Sequence, residues 1–326
     1  LGVVAVGAFL LTGAAMLRWY AAPRAALVPL DPAVTVTLTG TGAAYDIGLG
    51  GPRTGPLTER VAVRGGGVAT GVVIWAVNRR LAGPDGVPLR VADERVSLDR
   101  RTAVAVACCG DRPGHTGLTY LFPAGLARAD QQVYDPTTGR AAPARYAGAD
   151  VVAGLRVYRF EQSVPETDLR TGALPGAPPL PAPPATAPPA TAPPATGPPA
   201  TAPPATAPPA TPPPATAPPA ATTGELLAAS QRTLWVEPVS GVVVQAAEHR
   251  QERLVPASGP AVQLLDARLR TDPGSVRRLA GLAADRRGRL LALRRTAPLG
   301  LTVVGSVLLI AGLCYRIVTM QAETRP

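Results

Sequence analysis

The sequence predicts a mainly β protein: an antiparallel meander forming a curved-sheet extracytoplasmic domain, flanked by N- and C-terminal transmembrane helices and interrupted by a disordered Pro-rich insertion. Three observations predict it. Uncharged apolar stretches, Leu1–Leu17 and Ala297–Cys314, stand near the two ends of the 326 residues. Between them, runs that alternate apolar and polar residues with period two are separated by Gly, Pro and Asp turns. One connection between two such runs is filled by a Pro-Pro-Ala-Thr array, which has no apolar face to pack.

Residues 1–20 read as a transmembrane helix, because Thr12 is the only polar side chain before Arg18 and the run approaches the ~20 residues needed to cross ~30 Å of hydrocarbon. Arg18, Trp19 and Tyr20 then resemble an interfacial anchor, and no small-x-small cleavage site follows cleanly, so an uncleaved anchor is expected in preference to a signal peptide.

The first part of the β domain is expected over residues 31–170. Val34, Val36 and Leu38 alternate with Thr35, Thr37 and Thr39. Arg60–Arg64, Gly71–Asn78, Leu118–Phe122, Gln131–Tyr134, Asp150–Val152 and Leu155–Val164 read as further short strands, and Val87–Leu98 pairs with Thr102–Cys108 as a hairpin about Asp99-Arg100-Arg101. The insertion occupies residues 171–224, with the pentapeptide repeat at 182–221; Pro fixes φ and lacks an N–H, so this is polyproline II. It reads either as a spacer through a cell envelope or as an expanded loop, tolerated because loop-closure entropy grows only logarithmically with length. The second part of the β domain, 225–272, holds strands at Thr233–Glu237, Val242–Ala247 and Ala261–Arg270.

The pattern changes to helix over 273–295, where Val276, Leu279, Leu282, Ala283, Leu290 and Leu293 recur at three- and four-residue spacings. Arg277, Arg278, Arg286, Arg287, Arg289, Arg294 and Arg295 fill much of the remainder, which makes this a basic juxtamembrane helix suited either to anionic headgroups or to packing on the domain itself. The second transmembrane helix is expected over 297–320.

The net charge of +10 belongs mostly to the membrane-proximal end. Residues 31–170 hold 16 Arg against 14 acids and residues 225–275 hold 5 against 6, whereas residues 276–326 hold 9 against 2. A near-neutral folded domain does not make a phosphate-backbone surface, so nucleic acid is excluded as a partner and the lipid bilayer is expected instead. Five Arg ahead of the second span argue for a cytoplasmic domain by the positive-inside count. Long domains translocate largely regardless of charge, however, and the envelope-like array favours an extracytoplasmic domain with both termini inside.

Catalytic chemistry is scarce. His115 and His249 are the two histidines, no Gly-x-Ser-x-Gly elbow is present, and without Lys no phosphate-binding P-loop can form. No enzyme activity and no cofactor are expected. Cys108 and Cys109 are adjacent and can form a vicinal disulfide in an oxidising compartment, or pack as thiols at a strand end. With His115 they could begin a metal site, but a second ligand cluster is lacking, so no metal is expected.

Ala107-Cys-Cys-Gly110, the run His115-Thr-Gly-Leu-Thr-Tyr-Leu-Phe-Pro123, Val157-Tyr-Arg-Phe-Glu-Gln162, and Leu234-Trp-Val-Glu-Pro238 with Ser240-Gly-Val-Val-Val244 together resemble the actinobacterial PorA-type porin family, a group of poorly characterised membrane proteins. The resemblance covers nearly all of the chain outside the Pro array and implies an anchored cell-envelope protein with a β-rich domain. It carries over no catalytic residues. The family label implies a porin or channel. The residues point rather to a membrane-anchored envelope protein whose β domain binds a lipid, glycan or protein partner, a hydrophobic ligand being the sharpest version. Strands laden with Arg and Asp, and 4% aromatic residues, suit a membrane barrel poorly. The sequence does not specify an oligomeric state.

Overall fold

Alternate positions along each strand gather on one side of a single sheet in the computed structural model, which describes residues 2–46, 50–173 and 223–323. The strands are β1 (Ala33–Asp46), β2 (Gly51–Ala69), β3 (Val72–Ala82), β4 (Pro88–Asp99), β5 (Gln131–Asp135), β6 (Arg140–Val152), β7 (Leu155–Ala173), β8 (Thr223–Val236), β9 (Val243–Pro256) and β10 (Val262–Thr271). In β2, Leu57, Glu59, Val61 and Val63 are buried while Arg60 and Arg64 are exposed, the period of two that the pleat imposes.

All ten strands pair antiparallel in the order β4-β3-β2-β1-β10-β9-β8-β7-β6-β5. This departs from a plain meander at one place. The first and last strands pair with each other, Leu38 opposite Thr271 and Ala44 opposite Leu265, so two meanders join along the two ends of the domain. Glycine makes the junction compatible with the backbone: a Cβ on Gly40 would meet the carbonyl oxygen of Arg268, and one on Gly42 that of Asp266.

The sheet curls until its edges are bridged. Residues 100–122 run between edge strands β4 and β5, with bridges Leu98↔Ala105, Val104↔Leu118 and Leu118↔Val133. The amide of Leu118 donates to Gln132 O at 2.8 Å and that of Tyr134 to Leu118 O at 2.7 Å. One apolar cluster, containing Trp75, Phe122, Phe160 and Leu265, therefore draws on both meanders; Phe122 and Phe160 stack at 5.5 Å.

The strands are longer than the sequence suggests, 19 residues each in β2 and β7. The residues read as breakers sit where a strand tolerates them. Pro52 and Pro56 pair with β1, but β2 meets β3 only from Thr58 onward, so at these prolines β2 is an edge. Pro165 falls in a register shift between Val164 and Thr167. β6 extends back to Arg140, ten residues before the expected Asp150. Conversely, Thr102–Cys108 and Leu118–Phe122 contribute isolated bridges and no full strand. The Pro-Pro-Ala-Thr array at 182–221 lies outside the described residues.

Among the described residues, two helices are long and apolar enough to cross a membrane. The first comprises α1 (Gly2–Met16), a π turn at Leu17–Ala21 and α2 (Ala22–Ala25). The second comprises α3 (Pro273–Leu291), a π turn at Ala292–Thr296 and α4 (Ala297–Glu323), whose 27 residues run ~40 Å at 1.5 Å each. Asp272 caps α3, its carboxylate accepting from Gly274 N at 2.8 Å and Ser275 N at 3.1 Å, with Pro273 in the first turn.

α1 and α4 lie antiparallel, with Gly7 against Gly305 and Gly312 against Val4. A Cβ on Gly7 would stand 2.8 Å from Gly305 O, so the backbones approach as closely as small residues permit. The outward faces carry exposed Phe9, Val303, Val307 and Ile310. α3 does not lie free on its basic face. Its Val276, Ala280 and Ala283 pack on Leu155, Val157, Trp235 and Val244 of the sheet.

Candidate functional site

A cavity of about 1010 Å³ lies between the curled sheet, residues 24–33 and α3. Small-molecule sites span roughly 300–1,000 Å³, so this one is at the top of that range. Its walls are apolar: Val36 and Leu38 from β1, Val61 and Val63 from β2, Trp75 from β3 and Leu234 from β8. The Trp75 indole N–H donates to Pro29 O at 3.1 Å and Val28 N to Arg100 O at 2.8 Å, which fixes the segment leaving α2 across the rim. α3 supplies the opposite wall with Leu279, Leu282 and Leu290.

Charged residues form the floor, and they are paired. Glu59 takes the inward position between Leu57 and Val61, and accepts from Arg79 Nη2 at 2.9 Å and Nε at 3.2 Å. Arg250 reaches it from β9 across the interior, donating to Glu59 and also to Glu248. Glu248 accepts in turn from Arg232 Nε at 3.1 Å, whose Nη1 donates to Tyr134 O at 2.9 Å. Burial pushes Glu59 up, but the Arg79 and Arg250 guanidiniums more than offset it and hold the carboxyl below its usual range. The same balance, with Arg250 and Arg232 as counterions, keeps Glu248 ionised. In a desolvated interior such charges persist only because each has partners.

A second buried constellation backs onto this floor. His115, 2% exposed, has Nδ1 2.8 Å from Asp111 Oδ1 and Nε2 3.2 Å from Glu94 Oε2. Tyr120 donates to the same Glu94 oxygen at 2.6 Å. Both ring nitrogens thus face carboxylate oxygens, a geometry that favours the doubly protonated imidazolium. Burial disfavours that charge; the hydrogen bonds to Glu94 and Asp111 outweigh it and raise the His115 pKa above 6.5. For Glu94, burial raises the pKa, but the bond from His115 and the Arg79 charge bring it below 4.5.

This clamp ties residues 111–120, which bridge the sheet edges, to β4, and it gives stability a pH window. The His115 contribution is fully present below about pH 6.5 and is lost as pH rises through the raised folded-state value. The Glu94 contribution is present above about pH 4.5 and is lost as pH falls through the depressed value. Thermal unfolding against pH is expected to show a plateau between these limits, with the alkaline decline reduced in His115→Gln. Parallel curves for the two proteins would contradict the assignment.

The residues singled out from sequence are dispersed. Cys108 and Cys109 are joined by a disulfide in the turn after residue 106, with Cys109 at φ 59° and Ser97 Oγ donating to Cys108 O at 3.0 Å. Among the described residues no group of three or more His, Cys, Asp or Glu is arranged to hold a metal. The seven arginines flanking the second apolar stretch divide. Arg286 donates to Ala26 O and Leu27 O and lines the cavity with Arg289. Arg278 donates to Ser275 Oγ, Arg287 lies 3.6 Å from Glu237, and the Arg294 carbonyl accepts from Arg18. Arg277 and Arg295 are exposed.

The model of the porin PorA family matches residues 1–314, which takes in the first apolar helix, all ten strands, the whole cavity lining and α4 as far as Cys314. This chain belongs to the porin PorA family. Among curated proteins, none matches it. For a porin PorA family member the arrangement is instructive: the match spans an interior that is walled with aliphatic groups at one end and crossed by paired charges at its middle.

Proposed function

We propose that this porin PorA family protein is held in an envelope membrane by α1 and α4, with its sheet domain outside the cytoplasm, and that its cavity receives the acyl chains of a lipid from that membrane. The observation carrying the proposal is which segments line the cavity. Its lining includes residues between 24 and 33 and Leu282, Leu290 and Leu293, in the segments that run directly into the two long apolar helices. An apolar void open at the level of the bilayer surface is the environment an acyl chain finds favourable, each buried methylene contributing ~0.8 kcal/mol. The volume equals about 34 waters at ~30 Å³ each, and a methylene occupies nearly the same space, so two acyl chains of ordinary length fit. The reading is one of binding and not of catalysis.

A channel, the role the family's name carries, is the second reading. Two features weigh against the sheet itself spanning lipid. Outward positions carry exposed Arg60, Arg64, Arg80, Arg145, Arg156 and Arg268, each costing ~2–4 kcal/mol at a bilayer midplane. The interior charges also bond to one another across the lumen, where a conducting path would leave them to water.

Lipid carried by the purified protein tests the proposal. Full-length protein washed extensively in a detergent without acyl chains is expected to retain about one lipid per chain after organic extraction. Recovery at the level of a control protein bearing only a helical anchor would contradict it, and unitary conductance in planar bilayers would favour the channel.

A further inference from the structure

Basic groups crowd the cavity mouth, while the cavity floor has no free charge to offer. Arg24, Arg100, Arg286 and Arg289 line the rim against two carboxylates, Asp31 and Asp285. Two of these guanidiniums have unused donors: Arg100 Nε and Arg286 Nε are buried without a hydrogen-bond partner among the described residues. Arg286 otherwise donates to the backbone carbonyls of residues 26 and 27, which do not neutralise its charge. At the floor, by contrast, Glu59, Arg79, Arg232 and Glu248 are engaged with one another or with Arg250. A polar headgroup therefore finds no vacancy inside, and an anionic one finds an excess of two positive charges at the rim.

We propose that the lipid enters tail first and that its headgroup carries net negative charge, its phosphate held at the rim by Arg100 and Arg286, with Arg24 and Arg289 completing a ring of positive charge that a choline cation would oppose. This rests on the acyl-chain reading of the cavity and adds to it an orientation and a headgroup class. Planar guanidinium donors suit phosphate oxygens, and charge-assisted bonds from partly desolvated arginines discriminate more strongly than those at an open surface. Arg24 is stacked on the Tyr20 ring, 3.5 Å from its centroid, which holds its charge beside the rim at the level where headgroups lie.

The test uses the full-length protein in liposomes containing trace lipid with a photoreactive group in the acyl chain, either phosphatidylglycerol or phosphatidylcholine at equal mole fraction. Phosphatidylglycerol is expected to label peptides of β1, β2 and β3 that carry Val36, Val61 and Trp75 about tenfold more than phosphatidylcholine. The double substitution Arg100→Gln, Arg286→Gln is expected to bring the two lipids to within roughly twofold. Should that variant fold poorly, Arg24→Gln with Arg289→Gln removes two exposed charges and is expected to reduce the preference partially. Equal labelling of these strands by both lipids in the unaltered protein would overturn the headgroup assignment and leave the acyl-chain reading standing. Label confined to α1 and α4 with either lipid would overturn both.

Discussion

Glu59→Ala is expected to lower the melting temperature of the full-length protein by roughly 10 °C, corresponding to about 3–5 kcal/mol. The size follows from what is left behind. Glu59 is 2% exposed and accepts from both Arg79 and Arg250, themselves buried on strands from opposite meanders. Removing the carboxylate leaves Arg250 with Glu248 alone and takes from Arg79 the carboxylate it donates to, and burying a charge short of its partner is among the costliest single changes. Glu59→Gln keeps an acceptor and is expected to cost less. Arg253→Gln, whose ion pair with Glu166 is exposed, is expected to shift melting by no more than about 1 kcal/mol. Scanning fluorimetry on the three variants checks the ranking, and equal shifts for Glu59→Ala and Arg253→Gln would contradict it.

Filling the cavity should have the largest effect on bound lipid. Val36 and Val61 are directly opposite across the β1–β2 pair, and both line the cavity. Replacing both with Phe places two rings side by side in the void, where they displace acyl chain and not existing side chains. Retained lipid is expected to fall at least tenfold, a loss of about 1.4 kcal/mol or more in binding. The melting temperature should hold or rise, because the rings bury apolar surface that the empty cavity leaves unsatisfied. Lipid recovery unchanged in a folded Val36→Phe, Val61→Phe protein would mean the lipid sits elsewhere.

Much of this fold is legible in the residues, for reasons that also mark where legibility stops. The period of two at Val34, Val36 and Leu38 reports an inward face, and the same period runs through Val73, Trp75, Val77 and Leu81. The two apolar helices and the switch to helical spacing at Val276 are equally visible, because each is a local property of the chain. The pairing of β1 with β10 is not, since it joins strands more than 220 residues apart and no local pattern records it. Strand ends are misread where Pro stands on an unpaired edge or in a bulge, positions at which its missing N–H costs nothing.

The candidate site was present in the sequence in a form that invites neglect. Glu59 and Arg79 occupy inward phases between apolar neighbours, Leu57-Thr-Glu-Arg-Val61 and Val77-Asn-Arg-Arg-Leu81. A charged residue in phase with a buried row signals a partner inside, but which partner depends on how far the sheet curls. The cavity has no sequence signature at all, because it is space left between elements. The spacing of the basic helix suits headgroups or packing on the domain alike, and its Val276, Ala280 and Ala283 face, which packs on the sheet, is what brings Arg286 and Arg289 to the cavity.

The central claim, that an acyl chain occupies the cavity, is tested most directly by the fluorescence of Trp75. This indole lies in the cavity wall, whereas Trp19 belongs to the first helix and Trp235 packs beside α3. In full-length protein carrying Trp19→Phe and Trp235→Phe, liposomes of lipid brominated along the acyl chain are expected to quench Trp75 strongly. The quenching should disappear when Val36→Phe and Val61→Phe are added. Trp75 emission indifferent to bromination would contradict the account.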